Sequence, residues 1–214
     1  FMLNVKVHNL DEAVKVAVNE LEQFCKNKEN LTLCLTGGNF GERFTKSLSF
    51  LKKSSIKFNF LLSDERVVGN EDKDSNERSI KKSLIPNLNS VPSDIIFFRT
   101  YGDHTLCFKD LKSRLDSKNI LRPDFLILSL GKDGHLAGHF HHSILDATQN
   151  FCYTYDAPKP TNYRVSFSFK WLFDSKLIVL AAIGEEKKFE LEKLKKGTGL
   201  HSDLMKHPNL ILLS

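Results

Sequence analysis

The segment Gly131-Lys132-Asp133-Gly134-His135 contains the residue types of a general-base device. A carboxylate two residues before an imidazole can fix the ring's tautomer and orientation. Histidine is also the side chain whose ordinary pKa lies nearest neutrality. An apolar run, Phe125-Leu126-Ile127-Leu128, leads into the motif, so a buried strand delivers Asp133 and His135 to its carboxyl end. In open α/β sheets that edge is where ligands bind. The motif singles out His135 among eight histidines. His139, His141 and His142 follow closely, but no thiolate or carboxylate stands at metal-ligand spacing beside them. No metal is expected, and the cluster reads as a lid, a loop or a partly solvated helix start.

Three other sites carry residues suited to an anion. Thr36-Gly37-Gly38-Asn39 sits between a strand and a helix, where backbone amides attract phosphate. An ordinary βα turn would read the same. Asp64-Glu65-Arg66 ends another strand, and Arg66 offers a planar fork of donors for a phosphate or an oxyanion. A surface salt-bridge cluster would use the same residues. Arg164 opens a later strand, and Lys187 lies in the first helical turn after Gly184. A cation there is unfavourable for the helix dipole unless an anion is bound beside it or the side chain points to solvent.

These residues need elements to position them, and the pattern supplies an alternation. Strands are expected at 5–8, 31–35, 56–62, 95–98, 125–130, 152–155, 164–169, 177–183 and 209–213. Helices are expected at 11–26 with Asp11 as cap, 42–52, 76–84 capped by Asp74-Ser75, 106–118 and 185–196. Repeated β-then-α order predicts an α/β fold, a Rossmann-like, mostly parallel sheet with helices on both faces. Four strand ends, after Leu35, Leu62, Leu130 and Ile183, would then open on one edge. No Pro/Gly-rich linker or internal repeat divides the chain, so residues 2–214 read as one domain, with Phe1 before Met2 set aside as an expression remnant.

Composition bounds the function. Hydrophobic residues make up 41% of 214, enough for a substantial core, and no apolar stretch is long enough to span a bilayer. Cys25, Cys34, Cys107 and Cys152 form no CxxC pair, and no secretory signal opens the chain. A cytoplasmic protein with reduced thiols is expected. The net charge of +5 and pI of about 8.9 suit an anionic ligand, but the lysines are scattered along the sequence with no basic stripe among aromatics. Nucleic acid and membrane partners are not expected, and a small phosphorylated substrate is.

Taken in order, Gly37-Gly38, Asp64-Glu65-Arg66-Val67-Val68 followed by Asp74-Ser75-Asn76, Gly131-x-Asp133-Gly134-His135, Arg164 and Gly184-x-x-Lys187 resemble the 6-phosphogluconolactonase family over nearly the whole chain. The resemblance implies hydrolysis of 6-phospho-D-glucono-1,5-lactone to 6-phosphogluconate, with no metal or organic cofactor. It implies His135 as general base and Asp133 as its support. Arg66 and Lys187 would contact the anionic substrate, Gly37, Gly38 and Asn39 would line its pocket, and Arg164 would lie nearby. Asp-Gly-His also suits glucosamine-6-phosphate deaminases of the same fold, which usually carry tyrosine where this chain has Arg66. A non-catalytic sugar-phosphate-binding protein is a further alternative. A nucleotide-binding Rossmann protein would need the GxGxxG fingerprint, which is missing. The family usually reads Gly-Gly-Ser-Thr-Pro where this chain has Gly37-Gly38-Asn39-Phe40-Gly41, so Asn39 and backbone amides stand in for two hydroxyls. It also reads Thr-Ala-Ser-Leu-Phe-Pro where this chain has Leu136-Ala137-Gly138-His139-Phe140-His141.

Overall fold

Alternating side chains along the central strands leave no polar face, so both faces of the sheet must be covered. The computed structural model describes residues 2–100, 102–141, 144–147, 150–155, 157–158 and 161–214, with 144–147 described through the backbone alone. His142 lies outside the described residues. The chain runs β1 (Leu3–Val5), α1 (Leu10–Cys25), β2 (Asn30–Leu35), α2 (Gly38–Lys46), β3 (Lys57–Leu62), β4 (Asp64–Arg66), α3 (Asn76–Leu84), β5 (Ser93–Ile95) and α4 (His104–Asp116). It continues through β6 (Phe125–Ser129), β7 (Ile144–Ala147), β8 (Phe151–Tyr155), β9 (Arg164–Phe167), α5 (Phe169–Phe173), β10 (Leu177–Ala181), α6 (Lys188–Lys195) and β11 (Leu210–Leu213).

Seven strands form a parallel sheet in the order β1-β11-β10-β6-β2-β3-β5. Leu33, Phe60, Ile127 and Val179 cluster with Ala17, Phe44 and Ile80 from α1, α2 and α3. Their neighbours Cys34, Leu61, Leu128 and Leu180 cluster with Leu111, Leu172 and Leu194 from α4, α5 and α6. Period-two alternation therefore places a helical layer on each face, as the sequence pattern implies. After β2 the chain proceeds to β3 and β5 on one side, and after β6 to β10 and β11 on the other. The adjacent ends of β2 and β6 therefore form a topological switch point, where a crevice opens.

Part of the molecule departs from the sequence expectation. Asp64–Arg66 is a strand, not the tail of one: β4 pairs antiparallel with β9 in a second sheet, β4-β9-β8-β7. Three polar residues are too short a run to show a strand period, and only the pairing reveals it. The two sheets meet at Ser63, whose amide donates to Leu35 O (2.7 Å) and whose carbonyl accepts from the Phe167 amide (3.0 Å). Helix boundaries also moved. Asn9, not Asp11, caps α1 by accepting from the Glu12 amide, while Glu12 accepts from the His8 amide in return. Helix α2 starts at Gly38, four residues before its first charged position, and breaks at Ser47 into a 3₁₀ turn over Ser49–Lys53. The helix expected over 185–196 is a 3₁₀ turn, Glu185–Lys187, followed by α6. Ser75 caps α3 as expected.

Candidate active site

The end of β6 turns sharply at Gly131. The Gly131 amide donates to His135 O (2.9 Å) and the Gly134 amide to Gly131 O (3.1 Å), so the five residues close on themselves. Gly134 takes a left-handed φ of 80°, which favours glycine. Inside this loop His135 Nδ1 pairs with Asp133 Oδ1, and the ring stacks on Phe140 at 4.4 Å between centroids. Nδ1 is engaged by the carboxylate, so Nε2 is the nitrogen available as a base. A Cβ on Gly131 would lie 2.0 Å from His135 Nδ1. Glycine is required there because the imidazole folds back over the backbone.

His135 lines a cleft of about 310 Å³ at the switch point, together with Thr36, Gly37, Gly38, Asp64, Arg66, Asn76, Ser129 and Lys187. That size suits a small ligand. All four strand ends contribute to it, as the parallel arrangement predicts. Gly37 caps α2 and Gly38 is its first residue, so the unpaired amides of that helix start lie at the cleft wall. Lys187 extends from the turn after β10 and donates to Ser129 Oγ at 3.3 Å. Arg66 leaves β4 and donates to Asp74 O at 2.5 Å.

Three nominated residues, Asp133 behind His135, Asn39 and Arg164, do not line the cleft. Asn39 is exposed beside it. Arg164 is 2% exposed; it pairs with Arg66 across β4 and β9 and donates to Thr161 O and Tyr163 O. Burial and then the nearby Arg66 charge lower its pKa. Arg164 thus underlies the site, and its guanidinium lies over the Phe140 ring that supports His135. Of the histidine cluster, His139 is not solvated. His139 is 4% exposed, with Nε2 2.9 Å from Phe167 O and 3.2 Å from Cys152 Sγ, and burial holds its pKa down. His141 is exposed. Among the described residues no group of three metal-ligating side chains converges.

The structure also adds residues that sequence reasoning passed over. Asp64 is buried and accepts from Ser63 Oγ (2.8 Å), while its carbonyl accepts from Asn76 Nδ2 (3.1 Å). A Cβ on Gly37 would lie 2.1 Å from Asn76 Oδ1, so the glycine pair makes room for Asn76 as well as for a ligand. Glu65 holds these parts together. It is 2% exposed and accepts from the amides of Arg66 (2.6 Å), Asn76 (2.8 Å) and Glu77 (2.5 Å) and from Ser75 Oγ (3.2 Å). Burial pushes its carboxyl up to about 7 against the pull of those amides. One carboxylate thus fastens β4 to the start of α3. The only hint in the sequence is an acidic residue ahead of a Ser-Asn helix start.

A parallel sheet with an imidazole–carboxylate pair, a lysine, an arginine and a helix start around a cleft at its switch point defines an α/β protein with a polar cleft of small-ligand size. A sequence model of the family described as glucosamine-6-phosphate isomerases/6-phosphogluconolactonase matches residues 6–208, and the chain belongs to that family. A 6-phosphogluconolactonase of Borreliella burgdorferi is 30% identical over 190 residues, covering 81% of this chain and 80% of that protein. The chloroplastic 6-phosphogluconolactonase 3 of Arabidopsis thaliana is 25% identical over 221 residues, covering 91% and 67%. The crystal structure of 6-phosphogluconolactonase from Thermotoga maritima superposes with a TM-score of 0.83 at 22% identity, covering 100% of this chain and 98% of that one. A monomeric glucosamine-6-phosphate deaminase superposes with a TM-score of 0.74 at 17% identity, covering 99% and 96%. The fold is therefore shared across both activities.

Proposed function

We propose that this chain hydrolyses 6-phospho-D-glucono-1,5-lactone to 6-phosphogluconate, a step of the oxidative pentose phosphate pathway. Family membership and the activities named for its relatives support the reading. The observation that carries it is His135, oriented by Asp133, at the wall of a cleft that also holds Arg66, Lys187 and the start of α2. Arg66 stands where the deaminases usually carry tyrosine, which favours the lactonase within the family.

In the proposed reaction a water attacks the lactone C1 and gives its proton to His135 Nε2. Asp133 stabilises the imidazolium. The C1 carbonyl oxygen becomes an oxyanion, and its collapse breaks the bond from C1 to the ring oxygen. The imidazolium returns its proton to that oxygen, and the carboxylic acid formed at C1 loses the water's second proton to solvent, so the product leaves as a carboxylate. A positioned base is worth about 10²–10⁴-fold. Arg66, Lys187 and the α2 amides hold the phosphate and the developing oxyanion, and that anchoring sets C1 beside His135. No cofactor takes part. The buried free thiols Cys25, Cys34, Cys107 and Cys152 support a reducing, cytosol-like setting.

The test is a coupled assay in which the lactone is generated in place and 6-phosphogluconate formation is followed against the spontaneous rate. Acceleration proportional to enzyme is expected. An unchanged rate would refute the proposal. Ammonia release from glucosamine 6-phosphate would assign the deaminase instead, and thermal stabilisation by sugar phosphate without turnover would assign a binding protein.

A further inference from the structure

On the helical face opposite the second sheet, α1, α2 and α3 enclose a groove of about 1220 Å³ that shares no lining residue with the catalytic cleft. Lysines and arginines that are scattered along the sequence converge there: Lys15, Arg43, Lys46, Lys73, Arg78 and Lys82. Only Asp11 and Glu42 oppose them, a net of four positive charges, so the groove holds all but one of the chain's net five. Among the described residues only Arg43 of the six has an ion-pair partner, Asp11. Helix dipoles favour Arg43, Lys46 and Lys82, which lie in the last turns of α2 and α3, but not Arg78. Arg78 lies in the first turn of α3, at its positive end, and stands one turn from Lys82. Like charges at that spacing repel, which costs the helix stability. An occupant of opposite charge would remove that cost.

We propose that this groove binds an acidic peptide segment of a partner protein. Its volume is several times that of the cleft that takes the small substrate. The cations lie beside an apolar wall of Val14, Val18 and Pro86, and Ile85, next to Pro86, is 48% exposed. Ser47 Oγ is exposed at the rim and, while donating to Arg43 O, keeps a lone pair that a peptide N–H can use and a bare polyphosphate cannot. No aromatic ring lines the groove, so nucleobases find no stacking platform. Its concave shape between helices suits an inserted chain rather than a flat bilayer surface.

Fluorescence anisotropy with a labelled peptide of alternating glutamate and leucine tests the assignment. The protein is expected to bind it, to lose at least tenfold in affinity in Lys46→Glu/Lys82→Glu, and to lose less in Lys46→Gln/Lys82→Gln. Raised salt should weaken binding, and the matched glutamine-leucine peptide should not bind. The substitutions are on exposed positions remote from the cleft, so turnover should stay within twofold of the parent, which also reports that the variants fold. No binding of the acidic peptide, binding unaffected by the double substitution, or tighter binding of a single-stranded oligonucleotide or of anionic phospholipid vesicles would overturn the proposal. The readout is binding, so it stands or falls separately from the lactonase reading.

Discussion

Gly131→Ala isolates the positioning of the proposed base, His135, from its presence. Gly131 does not have a positive φ, so alanine fits the backbone, and its amide and carbonyl can keep their bonds to His135 and Gly134. The new methyl would lie 2.0 Å from His135 Nδ1, 2.2 Å from Cε1 and 2.6 Å from Asp133 Oδ1. Ordinary carbon contacts begin near 3.4 Å, so the ring must retreat by roughly 1.4 Å. That retreat moves Nε2 and breaks the pairing with Asp133. A misplacement of about 1 Å can cost on the order of 10²-fold, and complete loss of a general base about 10²–10⁴-fold. The variant should therefore lose at least about 10²-fold in kcat while KM changes little, because the anion-binding walls are untouched. The assay is the initial rate of 6-phosphogluconate formation above the spontaneous background, with a melting curve in parallel. A variant that melts like the parent and keeps kcat within threefold would refute the positioning argument, since His135 cannot stay where it is with that methyl in place.

The other expectations follow from the same geometry. His135→Asn should remove most turnover yet leave protection against unfolding by 6-phosphogluconate intact; near-parental rates would exclude it as the base. Asp133→Asn should lower kcat by up to about 10⁴-fold, the scale seen when the carboxylate behind a catalytic histidine is neutralised, and an unchanged pH–rate profile would count against it. Lys187→Ala should raise KM about 10- to 100-fold, matching one charge-assisted contact of roughly 1.5–3 kcal/mol, and an unaltered KM would remove it from the substrate site. Glu65 gives a stability signature. In the folded chain it keeps its proton up to about 7, against 4.5 for an ordinary glutamate, so the folded state binds the extra proton between those limits. Stability should fall as pH rises from about 4.5 to about 7, by at most about 1.4 kcal/mol per unit, and Glu65→Gln should lose that slope. An equal slope in denaturant unfolding of the variant would refute the linkage.

The parallel sheet was legible because its strands are apolar on both faces and end in glycine or polar punctuation. Phe125–Leu128 could hardly be anything but a central strand, and Gly131 to His135 could hardly follow it without reaching the ligand edge. The second sheet was hidden for the opposite reason. Asp64-Glu65-Arg66 has no apolar alternation, and its strand character comes wholly from pairing with Arg164–Ser166. Arg164 and His139 show the limit of residue type as a guide. A cation and an imidazole both suggest chemistry, yet here one lies beneath the site and the other sits in an apolar layer against Phe167 and Phe169. The basic groove was invisible for a related reason. Its cations come from three helices and a loop, and only packing brings them together.

The join between the two sheets fixes the cleft wall beside Gly38. Ser63 bonds to Leu35 on one sheet and to Phe167 on the other, so Asp64 to Arg66 leave the parallel sheet at a fixed angle beside the end of β2. Glu65 then fastens that segment to the start of α3, and Asn76 reaches back across Gly37. The cleft wall is thus set by buried backbone bonds rather than by side chains of the glycine turn. The amides of α2 are aimed at the cleft by helix geometry and not by the identity of the side chains that follow Gly38. The base loop obeys the same logic. Its backbone bonds close within Gly131–His135, so the pairing of Asp133 with the imidazole is held locally, with Phe140 stacked on the ring from beyond the loop.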